Sequence, residues 1–339
     1  MAENVIDQVV AELKNSAADC YPQHGQVHHV RVVGHTPKSD YYLYELVADF
    51  AGASVRLAAK VYRSGRCGSS GAAGVARQEF ENLSHIYGVI QKKRLAGVPR
   101  PIGDFTAFGT VVSEKFSGLP LQSIIMKAAL LPGYADNGAF EVAARKTGEW
   151  LRSFHRATAD ISVPFHPDEF LEELKTLCLN CKGEGLDDEA IGLILSGAKT
   201  ILARGRKNLP CSAVLNDFTP LNVIVADDGI GICDYARMSR QGCSFYDIAQ
   251  FLAAVEALEK YPFCKRSITS QVQDEFLEAY GVAAGDLAIL RVLKMRALLS
   301  MFAQGRGVKE SPIRKKVMWA TVMKRFIQQA AQRSLAPAA

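Results

Sequence analysis

The stretch AVLNDFTPLNVIVADDGIGICD, Ala213 to Asp234, decides how this chain reads. Two short apolar runs, residues 222–226 and 230–233, flank Asp227, Asp228 and Gly229, and a DG turn between such runs signals a β-hairpin. Asp217 falls on a loop ahead of the hairpin. Asn222 opens the first strand five residues later, and Asp234 closes the second. A hairpin brings its entry and exit to one end, so Asn222 and Asp234 are expected there as oxygen donors beside a candidate base. Phosphoryl transfer asks for such parts: a cation on the phosphates, hard oxygen ligands for magnesium, and a carboxylate facing the acceptor hydroxyl.

Toward the N-terminus the pattern is strand-like. Residues 28–34, 41–50 and 54–62 are rich in β-branched and aromatic side chains, separated by the turn-prone HTPKSD and AGA segments, which predicts a three-stranded antiparallel meander. Ahead of it, the first twenty residues suit an amphipathic helix with Val5, Val9 and Leu13 on one side. After the meander, helical spacing through Phe80, Leu83 and Ile86 predicts a helix over 78–90. Prolines make 98–102 an extended connector, and 110–115 reads as a strand ended by the FSGLP segment, Phe116 to Pro120. The glycines at 65, 68, 71 and 74 lack a following Gly-Lys-Ser/Thr, so that stretch is read as a loop and not as a phosphate cradle.

Toward the C-terminus the chain turns mainly helical, with helices expected over 140–158, 168–181, 187–203, 246–260, 268–280, 285–304 and 312–332. In the last, Trp319, Val322, Met323, Phe326, Ile327 and Ala330 form an apolar stripe beside a basic face, read as a docked terminal helix. From Arg240 onward there are 15 Lys or Arg against 8 Asp or Glu, a balance that suits an anionic partner better than a polycation.

The Asp217–Asp234 region resembles the catalytic core of the aminoglycoside phosphotransferase and choline-kinase-like family. In that family a His-Gly-Asp triplet leads to an Asn five residues on, a hairpin ends in Ile-Asp, and a later Asp opens a helix. Here Leu215-Asn216-Asp217 stands at the triplet, followed by Asn222, by Cys233-Asp234-Tyr235 and by Asp247. The resemblance implies Asp217 as catalytic base, Asn222 and Asp234 as magnesium ligands, and Asp247 as a brace of the loop. Upstream, LAAKVY (57–62) is similar to the strand carrying the phosphate-binding lysine, here Lys60. QEFENL (78–83) is similar to the next helix, whose glutamate pairs with that lysine: Glu79, with Glu81 as the alternative. VVSEKFSG (111–118) is similar to the linker whose main chain meets adenine, which puts Glu114 and Phe116 at the nucleotide. His155, in a helix similar to one of the family's, is read as a packed structural residue. Leu215 in place of histidine and Asn216 in place of glycine depart from the pattern.

The fold expected is α+β and bilobal, protein-kinase-like. An N-terminal antiparallel sheet lobe spans 1–116, and a mainly helical lobe with the catalytic loop and substrate site spans 117–339. The activity implied is magnesium- and ATP-dependent transfer of a phosphate to a small-molecule hydroxyl on a sugar, polyol or amino alcohol, with a preference for a sugar-like acceptor and room for an anionic one. A catalytically silent nucleotide-binding scaffold is the alternative, resting on Leu215 and Asn216.

Composition narrows the classes further. At 339 residues, 48% hydrophobic and 22% charged, the chain is long enough for two domains or for one large domain with a well-filled core. A net charge of +5 predicts no nucleic-acid partner. No apolar run approaches the roughly 20 residues of a membrane span. Eight cysteines and no export signal at the N-terminus predict reduced thiols and a cytoplasmic location. Cys178 and Cys181 form a lone CxxC pair, read as two half-buried thiols, and His24, His28 and His29 are read as surface residues.

Overall fold

The computed structural model describes residues 2–131, 133–182, 186–205, 208–261, 263–304 and 324–335. By packing, the chain divides into two compact units, one of Met1–Leu119 with Ile224–Ser239, the other of Pro120–Val223 with Arg240–Ala339.

The first unit is built on an antiparallel sheet of β1 (Val27–Pro37), β2 (Tyr41–Phe50), β3 (Ser54–Tyr62) and β4 (Thr110–Glu114), in that order. Alternation decides its faces. Tyr44, Leu46, Ala48 and Phe50 on β2 and Leu57, Ala59 and Val61 on β3 are buried on one side. Helix α1 (Ala2–Cys20) covers that side with Ile6, Val9, Leu13 and Ala17, all at most 4% exposed, at the spacing of one helical stripe. Each of Ile6, Val9 and Leu13 taken from water stabilises the unit by about 1.5–3 kcal/mol. Helix α2 (Gly71–Lys93) contacts β3 and β4.

The glycine-rich segment expected as a loop differs from that reading. It forms two 3-10 turns, Ser64–Arg66 and Gly68–Ser70, and Gly71 and Gly74 already belong to the first turn of α2. The amides of a helix's first turn have no intrahelical partner in any case, and Ala72, Ala73 and Ala76 favour helix, so glycine costs less there than at mid-helix.

The hairpin forms as expected, with strands Val223–Ala226 and Gly229–Ile232. It was expected with the helices, but residues 224–239 group with the sheet. Backbone and glycine contacts account for this. The Ile232 amide donates to Gly97 O at 2.9 Å. A Cβ on Gly118 would lie 2.3 Å from Val225 O, so only glycine lets the linker run so close to the hairpin. The Phe116 ring lies over Gly231, where a Cβ would come within 2.4 Å of it.

The second unit is mainly helical: α3 (Leu121–Leu130), α4 (Ala139–Ala157), α5 (Pro167–Lys182), α6 (Asp188–Ala203), α7 (Phe245–Glu256), α8 (Arg266–Tyr280), α9 (Leu287–Gln304) and α10 (Lys324–Leu335). A small sheet has Asn208–Val214 at its centre, between Asp160–Pro164 and Ser239–Cys243. Helices α4 and α8 cross closely at Gly148, where a Cβ would lie 2.5 Å from Phe276 O. Of the expected terminal helix, residues 312–323, with Trp319, Val322 and Met323, lie outside the described residues; Phe326, Ile327 and Ala330 are buried on α10.

Candidate active site

Two groups of side chains, one in each unit, hold the residues singled out from the sequence. In the first unit, alternation along β3 puts Lys60 and Tyr62 on the face opposite the α1 core. Lys60 Nζ lies 2.5 Å from Glu79 Oε1 and 3.4 Å from Asp234 Oδ2. Glu79 is 2% exposed, whereas Glu81 lies on the exposed face of α2, which settles the alternative in favour of Glu79. Glu79 also accepts from the Tyr62 hydroxyl at 2.5 Å and from the Tyr235 amide at 3.3 Å. The Lys60 ammonium sits 5.4 Å from the centre of the Tyr41 ring.

Burial works against a charged Lys60, but the Asp234 and Glu79 carboxylates outweigh it and hold its pKa well above the usual lysine value. Burial, reinforced by Glu79, pushes the Tyr62 phenol up, so it stays a neutral donor. Two carboxylates thus share one ammonium, and these three groups carry one formal negative charge.

Residue Asp234 is itself held in place. Its Oδ1 accepts the Ala236 amide at 3.1 Å. Asn82, one turn after Glu79 on α2, donates to the carbonyls of Tyr235 and Met238, both at 3.0 Å. Neither Tyr62 nor Asn82 was singled out from the sequence. Both follow from period, since Tyr62 stands two residues from Lys60 on a strand and Asn82 three residues from Glu79 on a helix.

A cavity of about 130 Å³ opens beside Lys60 and Glu79. Ala58, Leu83, Val111, Ile224 and Tyr235 line it with apolar surface, and Glu114 and Phe116 border it at the linker. The Glu114 amide donates to Arg100 O and the Lys115 amide to Arg56 O, both at 2.9 Å, which fixes the linker's main chain.

In the second unit, Asp217 and Asn222 come together on the loop after the strand Asn208–Val214. Asn222 Nδ2 donates to Asp217 O at 3.0 Å and to Asp217 Oδ2 at 3.1 Å, closing the five-residue step seen in the sequence. Asp247, fully buried at the start of α7, accepts the Leu215 amide on Oδ2 and the Asn216 amide on Oδ1, both at 2.8 Å. His155 Nε2 lies 3.2 Å from Asp247 Oδ2, and its Nδ1 lies 2.9 Å from the Tyr280 hydroxyl. The two departures from the family pattern have local explanations. Asn216 sits at φ 58°, a left-handed conformation that glycine or asparagine adopts at low cost. Leu215 is 1% exposed and packs as an apolar residue. Under the loop, Phe218 packs against Trp150 and Phe251.

No protein-family model matches the sequence, and comparison with curated proteins returns no match. Solved structures do match over nearly the whole chain. The chain is similar to choline kinase LicA from Streptococcus pneumoniae, with 14% identity over 94% of this chain and 99% of that one, at a TM-score of 0.52. It is similar to choline kinase from Cryptosporidium parvum, with 13% identity over 90% and 89% of the two chains, at a TM-score of 0.56. The chain shares the fold of these kinases. A third structure with this kinase fold, amicoumacin kinase hAmiN in complex with AMP-PNP, Ca2+ and its ligand, shares 12% identity over 95% and 96%, at a TM-score of 0.55. The α+β, protein-kinase-like architecture expected from the sequence is thus the one observed.

Cys178 and Cys181, expected half-buried, are both fully buried thiols, because they fall on the packed face of α5 with Phe170 and Leu174; no cluster of metal-ligating side chains occurs among the described residues. No helix of the described residues is long and apolar enough to cross a membrane.

Proposed function

We propose that this chain is an ATP-dependent phosphotransferase that moves the γ-phosphate onto a hydroxyl of a small molecule, with a sugar-like acceptor preferred. The observation that carries the reading is the buried Lys60–Glu79 pair with Asp234 3.4 Å from the ammonium, beside a cavity bordered by the linker. An ammonium so held stays charged, as a ligand for triphosphate oxygens must. The apolar walls suit an adenine ring. With the Glu114 amide on Arg100 O and the Lys115 amide on Arg56 O, the Glu114 carbonyl and the Phe116 amide are the main-chain groups assigned to the adenine edge.

The donor set fits magnesium. One carboxylate (Asp234) and one amide oxygen (Asn222), beside ATP phosphates, match the ion's preference for hard oxygen ligands, and the formal negative charge left around Lys60 favours a cation. Asn222 precedes the first hairpin strand and Asp234 follows the second. The ion's contribution, when bound, is to neutralise charge on the transferring phosphate.

Asp217 is assigned to the acceptor hydroxyl, which it orients by accepting its hydrogen and whose proton it takes as the new P–O bond forms and the bond from the γ-phosphorus to the bridging oxygen breaks, releasing ADP. Asn222 holds the Asp217 carboxylate, and Asp247 fixes the loop through two main-chain amides. Positioning and charge stabilisation then provide most of the acceleration.

Nucleotide binding tests the reading directly. A fluorescent ATP analogue with Mg2+ is expected to bind the wild-type protein and to bind Lys60→Met at least about tenfold more weakly, since a charge-assisted contact to phosphate is lost. Equal affinity of the two proteins would remove Lys60 from the nucleotide site.

A further inference from the structure

Within the second unit, a cavity of about 310 Å³ lies against α4 and the end of α8. Arg152, Arg156, Tyr280, Ser244 and Gly281 are among the residues that line it. Arg152 and Arg156 stand four residues apart on α4, so both guanidinium groups leave the same helix face. Like charges at that spacing repel, and neither arginine makes an ion pair with a carboxylate among the described residues. The nearby Asp160 carboxylate is engaged by the Gln241 amide. Gly281 ends α8 at φ 78°, and a Cβ placed there would lie 3.6 Å from Arg152 Nη1, so this guanidinium rests along the helix terminus at the cavity wall.

We propose that this cavity binds a small phosphate-bearing anion and that its occupancy is felt at the loop carrying Asp217. Two guanidinium forks and a phenol supply the donors that a tetrahedral dianion accepts, and arginine matches phosphate in a bidentate way. The volume exceeds that of phosphate severalfold, leaving room for the organic part of a phosphomonoester. The link to the loop is continuous. The Tyr280 hydroxyl lies 2.9 Å from His155 Nδ1, His155 Nε2 lies 3.2 Å from Asp247 Oδ2, and Asp247 holds the Leu215 and Asn216 amides. An anion that takes the Tyr280 hydrogen turns that hydroxyl into an acceptor toward His155. A Tyr280 hydroxyl fixed by the anion fixes the imidazole it contacts, and an ordered imidazole on Asp247 tightens the brace. Binding is independent of the function proposed above; only the catalytic consequence of the link rests on it.

The experiment uses the full chain. Thermal melts are compared in inorganic phosphate, in glycerol phosphate and in chloride of equal ionic strength, for wild type, Arg152→Gln/Arg156→Gln and Lys60→Met. Both phosphates are expected to raise the Tm of wild type and of Lys60→Met, and to bind the double arginine variant at least about tenfold more weakly. A larger shift with glycerol phosphate assigns the site to phosphomonoesters, and equal shifts assign it to free phosphate. No shift in wild type, or a shift that survives loss of both arginines, overturns the site. Hydrogen exchange at the Leu215 and Asn216 amides reads the link: phosphate slows it in wild type and leaves it unchanged in Tyr280→Phe, which keeps both charges. Exchange that does not respond to phosphate in wild type overturns the link.

Discussion

Replacing Asp247 by Asn tests the brace under the Asp217 loop most sharply. The carboxylate is fully buried and accepts two main-chain amides at 2.8 Å, one on each oxygen, with His155 a further contact at 3.2 Å. Asparagine keeps the volume but offers one oxygen. Whichever way its amide turns, either the Leu215 or the Asn216 N–H then faces an NH2 group. One buried donor left unsatisfied costs about 1–3 kcal/mol, and losing the charge from the remaining bond costs about 1 kcal/mol more. The expected loss is therefore about 2–4 kcal/mol. Urea unfolding followed by tryptophan fluorescence measures it, because Trp150 is buried and stacked 6.3 Å from Phe218 beside the loop. A loss below about 1 kcal/mol would refute the argument that Asp247 holds the loop through those amides.

Further outcomes follow from local structure. Asn216→Gly keeps the urea midpoint at or above that of wild type and Asn216→Ala lowers stability by about 1 kcal/mol, since φ 58° suits glycine and penalises alanine. Gly231→Ala drives a Cβ into the Phe116 ring, so titration with the fluorescent ATP analogue returns a dissociation constant raised about tenfold while far-UV circular dichroism stays unchanged. Burial pushes the Cys178 and Cys243 thiols up to about 12 from an ordinary 9.0, so the folded protein carries about a thousandfold less thiolate there, and native alkylation at pH 8 spares both while labelling unfolded chain. The same shifts predict alkaline unfolding: above pH 9 the unfolded chain releases these protons and the folded one retains them, so stability falls as pH rises, by up to about 1.4 kcal/mol per pH unit for each group. Lys60 acts in the same sense at higher pH, because its contribution is complete below the ordinary lysine pKa of 10.5 and is lost as pH climbs through its raised value.

Where period and turn chemistry were strong, the sequence alone was enough. β2 and β3 begin and end at the residues expected, because alternating β-branched and aromatic side chains meet unambiguous turns at either end. The Lys60–Glu79 partnership was also legible, carried by a resemblance and by a strand followed by a helix. Helix α3 was missed, since Leu121–Leu130 follows directly on the FSGLP segment, Phe116 to Pro120, and shows no clear polar face. The strands Asp160–Pro164 and Ser239–Cys243 were missed as well; they are short and polar, and form only because Asn208–Val214 offers a paired edge. The His155–Asp247 contact spans 92 residues and leaves no local trace. His155 was read as packed, and only the fold shows what it packs for. The hairpin's grouping with the sheet was equally hidden, because the close approaches at Gly118 and Gly231 involve residues about a hundred positions apart.

The most direct measurement incubates the protein with γ-labelled ATP, Mg2+ and a mixture of hydroxylated metabolites, and follows label into low-molecular-weight product. Wild type is expected to form such a product, and Asp217→Asn to form it about a hundred- to ten-thousandfold more slowly, the usual span for loss of a general base. Label appearing equally fast with Asp217→Asn, or no transfer to any small molecule while ATP binds normally, would contradict the assignment of Asp217 to an acceptor hydroxyl.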